Sequence, residues 1–556
     1  MPTKLARLIS VAKGELPADL LLSNAKVVNV FNGEIEPGNV AICKDRIAGV
    51  GDYHQAKQVL DLGGKYIAPG LINGHIHPES SMLDIGQYAR AVVPWGTTAL
   101  ITDLHEIANV CGLEGIRYVL DCARRLPFDL FLMAPSCVPA TNLETSGASL
   151  NAEDIHQVLG WKGCIGLGEV MNFPGVLSGD AAVLRKISLA RGRIIDGHAP
   201  GVAGKDLSAY IAAGIYSDHE SVSLDEAKEK LRQGMFIMLR EGSSEKNLDA
   251  LLPLVSDKTY KRCMFVVDDR SCVDLLRDGD IDAVVRKAIR RKLDPVRAIQ
   301  LATINPAQYF RLDALGAIAP GYMANLIVLS DLPRLQIDMV FYRGQLVARE
   351  GKPLFPSYQP TGRGLTNTVK IKPFNIEALR LLASGEAEPI IEIVPGQIIT
   401  RKRMEKVKVI PDLERDILKL VVVERHKATG NIGLGLVTGF GLKRGALASS
   451  IAHDSHNIIA VGTNDGDIFT AIKEIERLQG GLVAATDGKV LVSLALPIAG
   501  LLSDQPLETV VSKLERLEEV ATELGTRLIS PFATLSFLAL PVIPEIRLTD
   551  LGVVEL

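Results

Sequence analysis

Two histidines stand one residue apart in the stretch NGHIHPESS, Asn73 to Ser81, directly after the apolar run YIAPGLI. On an extended segment residues i and i+2 share a face, so His75 and His77 can offer two imidazole nitrogens to one cation. Further groups of the same chemistry end other apolar runs: Glu169 in GLGEV, His198 in DGHAPG, His219 in SDHES and Asp268 in VVDDR. A lone histidine at a strand end is ordinarily a satisfied core or surface residue. A whole set of imidazoles and carboxylates on strand ends points instead to a metal centre, and that donor mixture suits zinc, iron or manganese. Asp269 follows Asp268 and faces the other way if the strand continues. Asp268, nearer the apolar run, is therefore the one expected to face a metal.

Ligands scattered over so much sequence need a frame that turns many strand ends toward one point. Between about residues 66 and 314, eight strand-like runs alternate with amphipathic stretches such as LEGIRYVLDCARRL and SLDEAKEKLRQG. The runs are KYIAPGLINGHIH, TTALITDLHE, DLFLMAPSCVP, CIGLGEVM, RIIDGHAPG, GIYSDHES, MFIMLREGS and CMFVVDDR. Such alternation predicts parallel βα units. Eight of them fit an α/β fold of the (β/α)8 TIM-like barrel type, with its active site at the C-terminal strand ends. Residues 1–65 and 315–360 carry short strands and turns, and neither piece is large enough for a core; together they are expected to form one composite β-sandwich. The Gly/Pro-rich GKPLFPSYQPTGRG, residues 351–364, reads as a linker, and residues 375–556 as a further α+β domain.

The totals exclude several function classes. With 556 residues, 47% hydrophobic and 23% charged, the chain is globular and too long for a single core. Its net charge of −4 gives no whole-chain footprint for nucleic acid, so no nucleic-acid partner is expected. Apolar stretches such as LVSLALPIAGLL are broken by Pro and Gly and fall short of the roughly 18 residues of a membrane span. MPTKLARLISVAKGELPADL has no long apolar run, so no secretory signal is expected. Seven cysteines between Cys43 and Cys272, without a C-x-x-C, argue against a disulfide framework or a cysteine zinc site and suit a reducing, cytoplasmic setting.

PGLINGHIHPESSM, DLHEIANVCGLEGI, GLGEVMNFPGV, DGHAPGVAGKDLSAYIAAGI, DHES, LREGS, DDR and AHDSHNI together resemble the adenine deaminase family of the amidohydrolase superfamily, from about residue 20 to the C-terminus. His-x-His alone would indicate only the superfamily. Glu169, where many relatives carry a carboxylated lysine, indicates the adenine deaminase branch. The resemblance implies two divalent ions, manganese first, with ferrous iron or zinc as alternatives. His75 and His77 with Asp268 would bind one, His198 and His219 the other, and Glu169 would bridge them. Ions about 3.5–4 Å apart can share and activate a water. The implied reaction is hydrolysis of adenine to hypoxanthine and ammonia in purine salvage, by a homodimer or higher homo-oligomer. Pro78, Leu104 and the continuation after Asp269 depart from the family pattern in loops that would line the pocket.

An exocyclic amine leaves poorly as an anion, so it needs a proton, and Asp268 is placed to carry one. A second acid must serve a ring nitrogen. His105 and Glu106 are the candidates, against a plainer reading in which His105 caps a loop and Glu106 begins a helix. Arg240, Glu241 and Ser243 are candidates for the purine edge, although Glu241 pairing with Arg240 as scaffold is equally compatible with the sequence. HDSHN, His453 to Asn457, is either a polar turn held by local hydrogen bonds or a segment that reaches the barrel mouth of its own or a neighbouring subunit. Two other functions compete. Cyclic amide hydrolysis of the dihydroorotase type could use the same metals, but Glu169 speaks against it. A non-catalytic metal-binding scaffold would have no reason to retain every expected ligand.

Overall fold

The computed structural model describes residues 3–357, 365–395 and 397–555, so the second half of the predicted linker lies outside the described residues. A short helix, Lys4–Ala12, precedes the strands, with Thr3 accepting from the Ala6 amide.

The first strands, Ala18–Val28, Ile35–Cys43, Arg46–Gly51, Ala56–Asp61 and Tyr66–Pro69, share one nine-stranded sheet with the late strands Leu326–Asp331, Gln336–Tyr342, Gln345–Arg349 and Lys352–Pro353. The joint is antiparallel, with Leu326 opposite Pro69 and Ile327 opposite Ala68. Leu22, Val40, Ile47 and Ile67 pack with Leu326, Val328 and Phe341 in one cluster. The chain passes from Pro69 through Gly70 straight into the first barrel strand, so this sheet anchors the strand that carries His75 and His77.

The barrel strands run in chain order: Leu71–Asn73 with its continuation Ile76–His77, Thr97–Thr102, Asp129–Ala134, Cys164–Val170, Ile194–Gly197, Ser217–Asp218, Phe236–Arg240, and Cys263–Val266 with Asp268–Asp269. The first five are hydrogen-bonded as one parallel sheet and the last three as another. Thr97–Thr102 is buried at every position, as expected of a parallel strand covered on both faces. The ring closes where Asp268 pairs with Ile76 and Asp269 with His77. There the amides of Val267 and Asp268 donate to the His75 carbonyl at 3.3 and 3.0 Å. At the other seam a Cβ on Gly197 would lie 2.2 Å from the Ser217 carbonyl oxygen, so only glycine lets the fifth and sixth strands approach so closely. The barrel interior is filled by Ile72, Ala99, Ile101, Met133, Met238, Met264 and Val266, with Tyr309 and Phe310 in the same cluster.

The last domain holds an eight-stranded sheet. Ile468, Ile472 and Ile475 of helix Asp465–Leu478 cover one face. Leu420, Val422, Leu447 and Val461, on the other face, belong to the same apolar cluster as the barrel's outer layer. This continuous packing carries the segment 453–457 to the barrel mouth. Among the described residues no helix is long and apolar enough to cross a membrane.

Candidate active site

Alternation along each strand decides what the mouth contains. Glu169 lies at the end of the fourth strand with its side chain 3% exposed, and its two oxygens face different imidazoles. Oε1 is 3.3 Å from His77 Nε2 and 3.7 Å from His75 Nε2. Oε2 is 2.7 Å from His198 Nδ1 and 3.3 Å from His219 Nε2. Asp268 Oδ1 stands 3.3 Å from His77 Nε2 and 3.7 Å from His75 Nε2. All six ligand-type side chains predicted from the sequence therefore meet in one cluster, and all but His198 are buried.

The donor set fits divalent cations. His75 Nε2 is buried and accepts or donates no hydrogen bond, although it points toward two carboxylates. Burial, with His219 and His77 beside it, pulls the His75 imidazole down to about 3, whereas at His77, His198 and His219 the neighbouring carboxylates outweigh burial and raise the rings, so that metal binding there would displace protons. Burial pushes Glu169 up, but His198, His219 and His77 outweigh it and hold the carboxyl well below the usual range. Asp268 is likewise held low, against burial, chiefly by Arg240. Donor atoms of His75, His77 and Asp268 lie within 4.8 Å of one another, as do those of His75, Glu169 and His219.

The remaining predicted residues divide. His105 is the first residue of helix His105–Ala123, and Glu106 lies in its first turn, where the helix dipole favours a negative charge. His105 Nδ1 is 2.9 Å from Asp103 Oδ1 and 3.7 Å from Glu169 Oε1, so this ring does reach the cluster. Arg240 also faces it, with Nη1 2.5 Å from Asp268 Oδ2 and a further close pair to Glu220. Through Nη1 its guanidinium thus orients an acid, while its Nε is buried without a hydrogen-bond partner. Glu241, the next residue, faces the opposite side of the strand and pairs with Lys287 at 2.7 Å, not with Arg240. Ser243 Oγ donates to Asp274 and accepts from the Ser271 amide at 2.9 Å. The structure therefore does not bring Glu241 or Ser243 to the cluster; the first is excluded by strand alternation, the second by its place in the loop joining the last two strands. Asp269 turns from the ligands and accepts from Ser80 Oγ.

HDSHN reaches the mouth of its own barrel. His453 Nδ1 is 2.7 Å from Glu106 Oε1, and His456 Nε2 bonds Glu106 Oε2. Burial pulls both imidazoles down, but Glu106 lifts His453 to about 9, while His456 stays lowered at about 4. His453 also stacks on Phe537, ring centroids 4.7 Å apart.

Sequence reasoning missed several supports. Asp103 lies between His77 Nδ1, 3.4 Å away, and His105. Glu220 sits 3.5 Å from His219 Nε2. Both are acids within two residues of a candidate histidine, which was the available signal. Lys230, fully buried, donates to the Ala199 carbonyl at 2.7 Å, Asp218 Oδ2 at 2.9 Å, Glu226 Oε1 at 2.8 Å and Ser221 Oγ at 3.1 Å, and so ties together the strand ends that bear His198 and His219. Tyr210 OH accepts from the His198 amide at 3.0 Å and donates to the Val170 carbonyl at 2.9 Å. Asn247 Nδ2 donates to the His219 and Ser221 carbonyls, each at 3.0 Å.

Residues 66–347 match the model of the amidohydrolase family, and residues 393–556 that of the adenine deaminase C-terminal domain. A protein named adenine deaminase from Dehalococcoides mccartyi is 63% identical, with 100% of this chain and 98% of that one covered. Adenine deaminase 2 of Carboxydothermus hydrogenoformans is 49% identical, with 99% and 97% covered. The adenine deaminase of Halalkalibacterium halodurans is 46% identical, with 100% and 97% covered.

Proposed function

The chain belongs to the adenine deaminase family of the amidohydrolase superfamily, and from that premise we propose that it hydrolyses adenine to hypoxanthine and ammonia with a pair of divalent ions, manganese foremost. The observation that carries the reading is Glu169, whose Oε1 faces His75 and His77 while Oε2 faces His198 and His219. His75, His77 and Asp268 would hold one ion and His198 and His219 the other, with Glu169 between them. Bound there, the ions would supply Lewis acidity and a water acidified toward neutral pH.

The protein's own groups do the rest. Water adds its oxygen to C6 of the purine as one of its protons passes to Asp268. Arg240 fixes Asp268 Oδ2 at 2.5 Å and leaves Oδ1 toward the cluster. The His105–Glu106 pair gives a proton to the adjacent ring nitrogen. Asp268 then delivers its proton to the exocyclic amine, the C6–N bond breaks, and ammonia leaves. The hydroxyl proton returns to the pair as the C6 carbonyl forms, so adenine and water are converted to hypoxanthine and ammonia without a remainder. Asp103 fixes the His105 ring through Nδ1, 2.9 Å away. Segment 453–457 lies over Glu106 and keeps bulk water from the site. Ammonia release from adenine, run beside ring opening of a dihydropyrimidine, tests the reading. Turnover of the dihydropyrimidine alone would favour cyclic amide hydrolysis and overturn it.

A further inference from the structure

The C-terminal domain brings more than a cover to the barrel mouth. The segment His453 to Asn457 is held from every side. Both of its histidines grip Glu106. His426 Nε2 lies 2.7 Å from the Ser455 carbonyl, Arg425 Nε donates to the His456 carbonyl, and Asn457 Nδ2 donates to the Thr145 carbonyl at 2.8 Å. At the centre of this fixed segment two side-chain oxygens are left without a hydrogen-bond partner, the Ser455 hydroxyl and one oxygen of the Asp454 carboxylate, and only the second carries charge. Asp454 is 4% exposed, and its Oδ2 is buried without any hydrogen-bond partner. Oδ1 is 3.9 Å from His453 Nδ1. The charges that bear most on this carboxyl are Glu106, His105, His453 and Glu169, which are groups of the barrel mouth.

A buried carboxylate with an unsatisfied oxygen is costly, and a rigidly positioned one is a ready acceptor for a ligand N–H. The free purine base has such a donor on its imidazole ring. A base substituted at N9 does not. Resting on the adenine reading above, we propose that Asp454 is a specificity residue whose carboxylate accepts the imidazole-ring N–H of the free base, so that the C-terminal domain selects the base over its N9-substituted forms. A site built to bond a substrate N–H rejects analogues that lack it, because the protein's own buried group is then left unpaired.

The test compares adenine with 9-methyladenine, which lacks that N–H but adds little bulk, on manganese-loaded full-length protein. The parent should prefer adenine. Asp454→Ala should lose about 10–100-fold in kcat/KM on adenine, the range for a charge-assisted hydrogen bond, mainly through KM. It should change little on 9-methyladenine, so the ratio between the two collapses. Inhibition by hypoxanthine and by 9-methylhypoxanthine should converge in the same variant, a readout a merely structural role would not give. Asp454→Asn, nearly isosteric, covers the case in which the alanine variant does not fold, and should shrink the same ratio. A ratio unchanged in the folded variant, or equal losses on both compounds, overturns the proposal. A parent inactive on adenine would overturn the adenine reading instead.

Discussion

Replacing Lys230 by methionine removes a charge that the strand ends around His198 and His219 depend on. Lys230 and the Asp218 side chain are both fully buried, and the ammonium is bonded to two carboxylates, a carbonyl and a hydroxyl. Methionine keeps most of the stem and leaves Asp218 ionised without its partner. Breaking one side of a buried pair costs about 3–5 kcal/mol. At about 2–4 °C per kcal/mol for a unit the size of this barrel, the melting temperature should fall by roughly 6–20 °C. The pH dependence fixes the cause. In the parent, burial pushes Asp218 up but Lys230 and Ser221 outweigh it, so its carboxyl is depressed. The stability it contributes is present above its unfolded value of about 3.9 and is lost only as pH falls below that. In Lys230→Met burial dominates, and the carboxyl is raised instead. The variant then gains stability as pH falls through that raised value. The gap between parent and variant, read by calorimetry, should be widest near pH 8 and narrow toward pH 5. Adding Asp218→Asn should restore part of the loss. A melting temperature within about 2 °C of the parent, or a gap that widens in acid, would mean that the Lys230–Asp218 pair does not hold these strand ends.

Glu169→Gln should lower affinity for the second ion by at least about 10–100-fold, since a neutral amide bridges two cations poorly; elemental analysis after gel filtration reads this directly, and full occupancy would count against the bridging role. Asp268→Asn should lose about 10²–10⁴-fold in turnover while the fold persists, and Asp269→Asn far less; the reverse order in steady-state rates would mean that the strand register is misassigned. With manganese-loaded protein, kcat/KM for adenine should exceed that for adenosine by orders of magnitude, because the 453–457 segment is fixed on Glu106 at the mouth, where a ribose would have to be accommodated; equal values would place the opening elsewhere.

How legible this was depends on the range of the interactions. His75 and His77 could be read as a pair because a two-residue spacing fixes a common side of a strand. Glu169, His198, His219 and Asp268 were readable because each closes an apolar run, and parallel barrel strands end at one mouth. Alternation also separates Asp268 from Asp269 and, used one residue further, would have turned Glu241 away from the site. Lys230 escaped notice because SLDEAKEKLRQG reads as a solvated amphipathic helix; only the fold reveals that its ammonium is enclosed. The grip of His453 and His456 on Glu106 spans about 350 residues of chain, and no local pattern encodes a contact of that length. Ser243 failed for a related reason, since its hydroxyl is held by Ser271 and Asp274, at the start of the helix after the last strand, and not by anything near in sequence.

Deamination of adenine by this ligand set requires two ions bound together. A titration of metal-free protein with manganese, following bound metal and ammonia release from adenine in the same samples, reads this requirement. Activity should climb to a plateau at two ions per chain, with one hypoxanthine formed per ammonia. Full activity with no metal bound, a plateau at one ion, or no ammonia from adenine at any loading would contradict it.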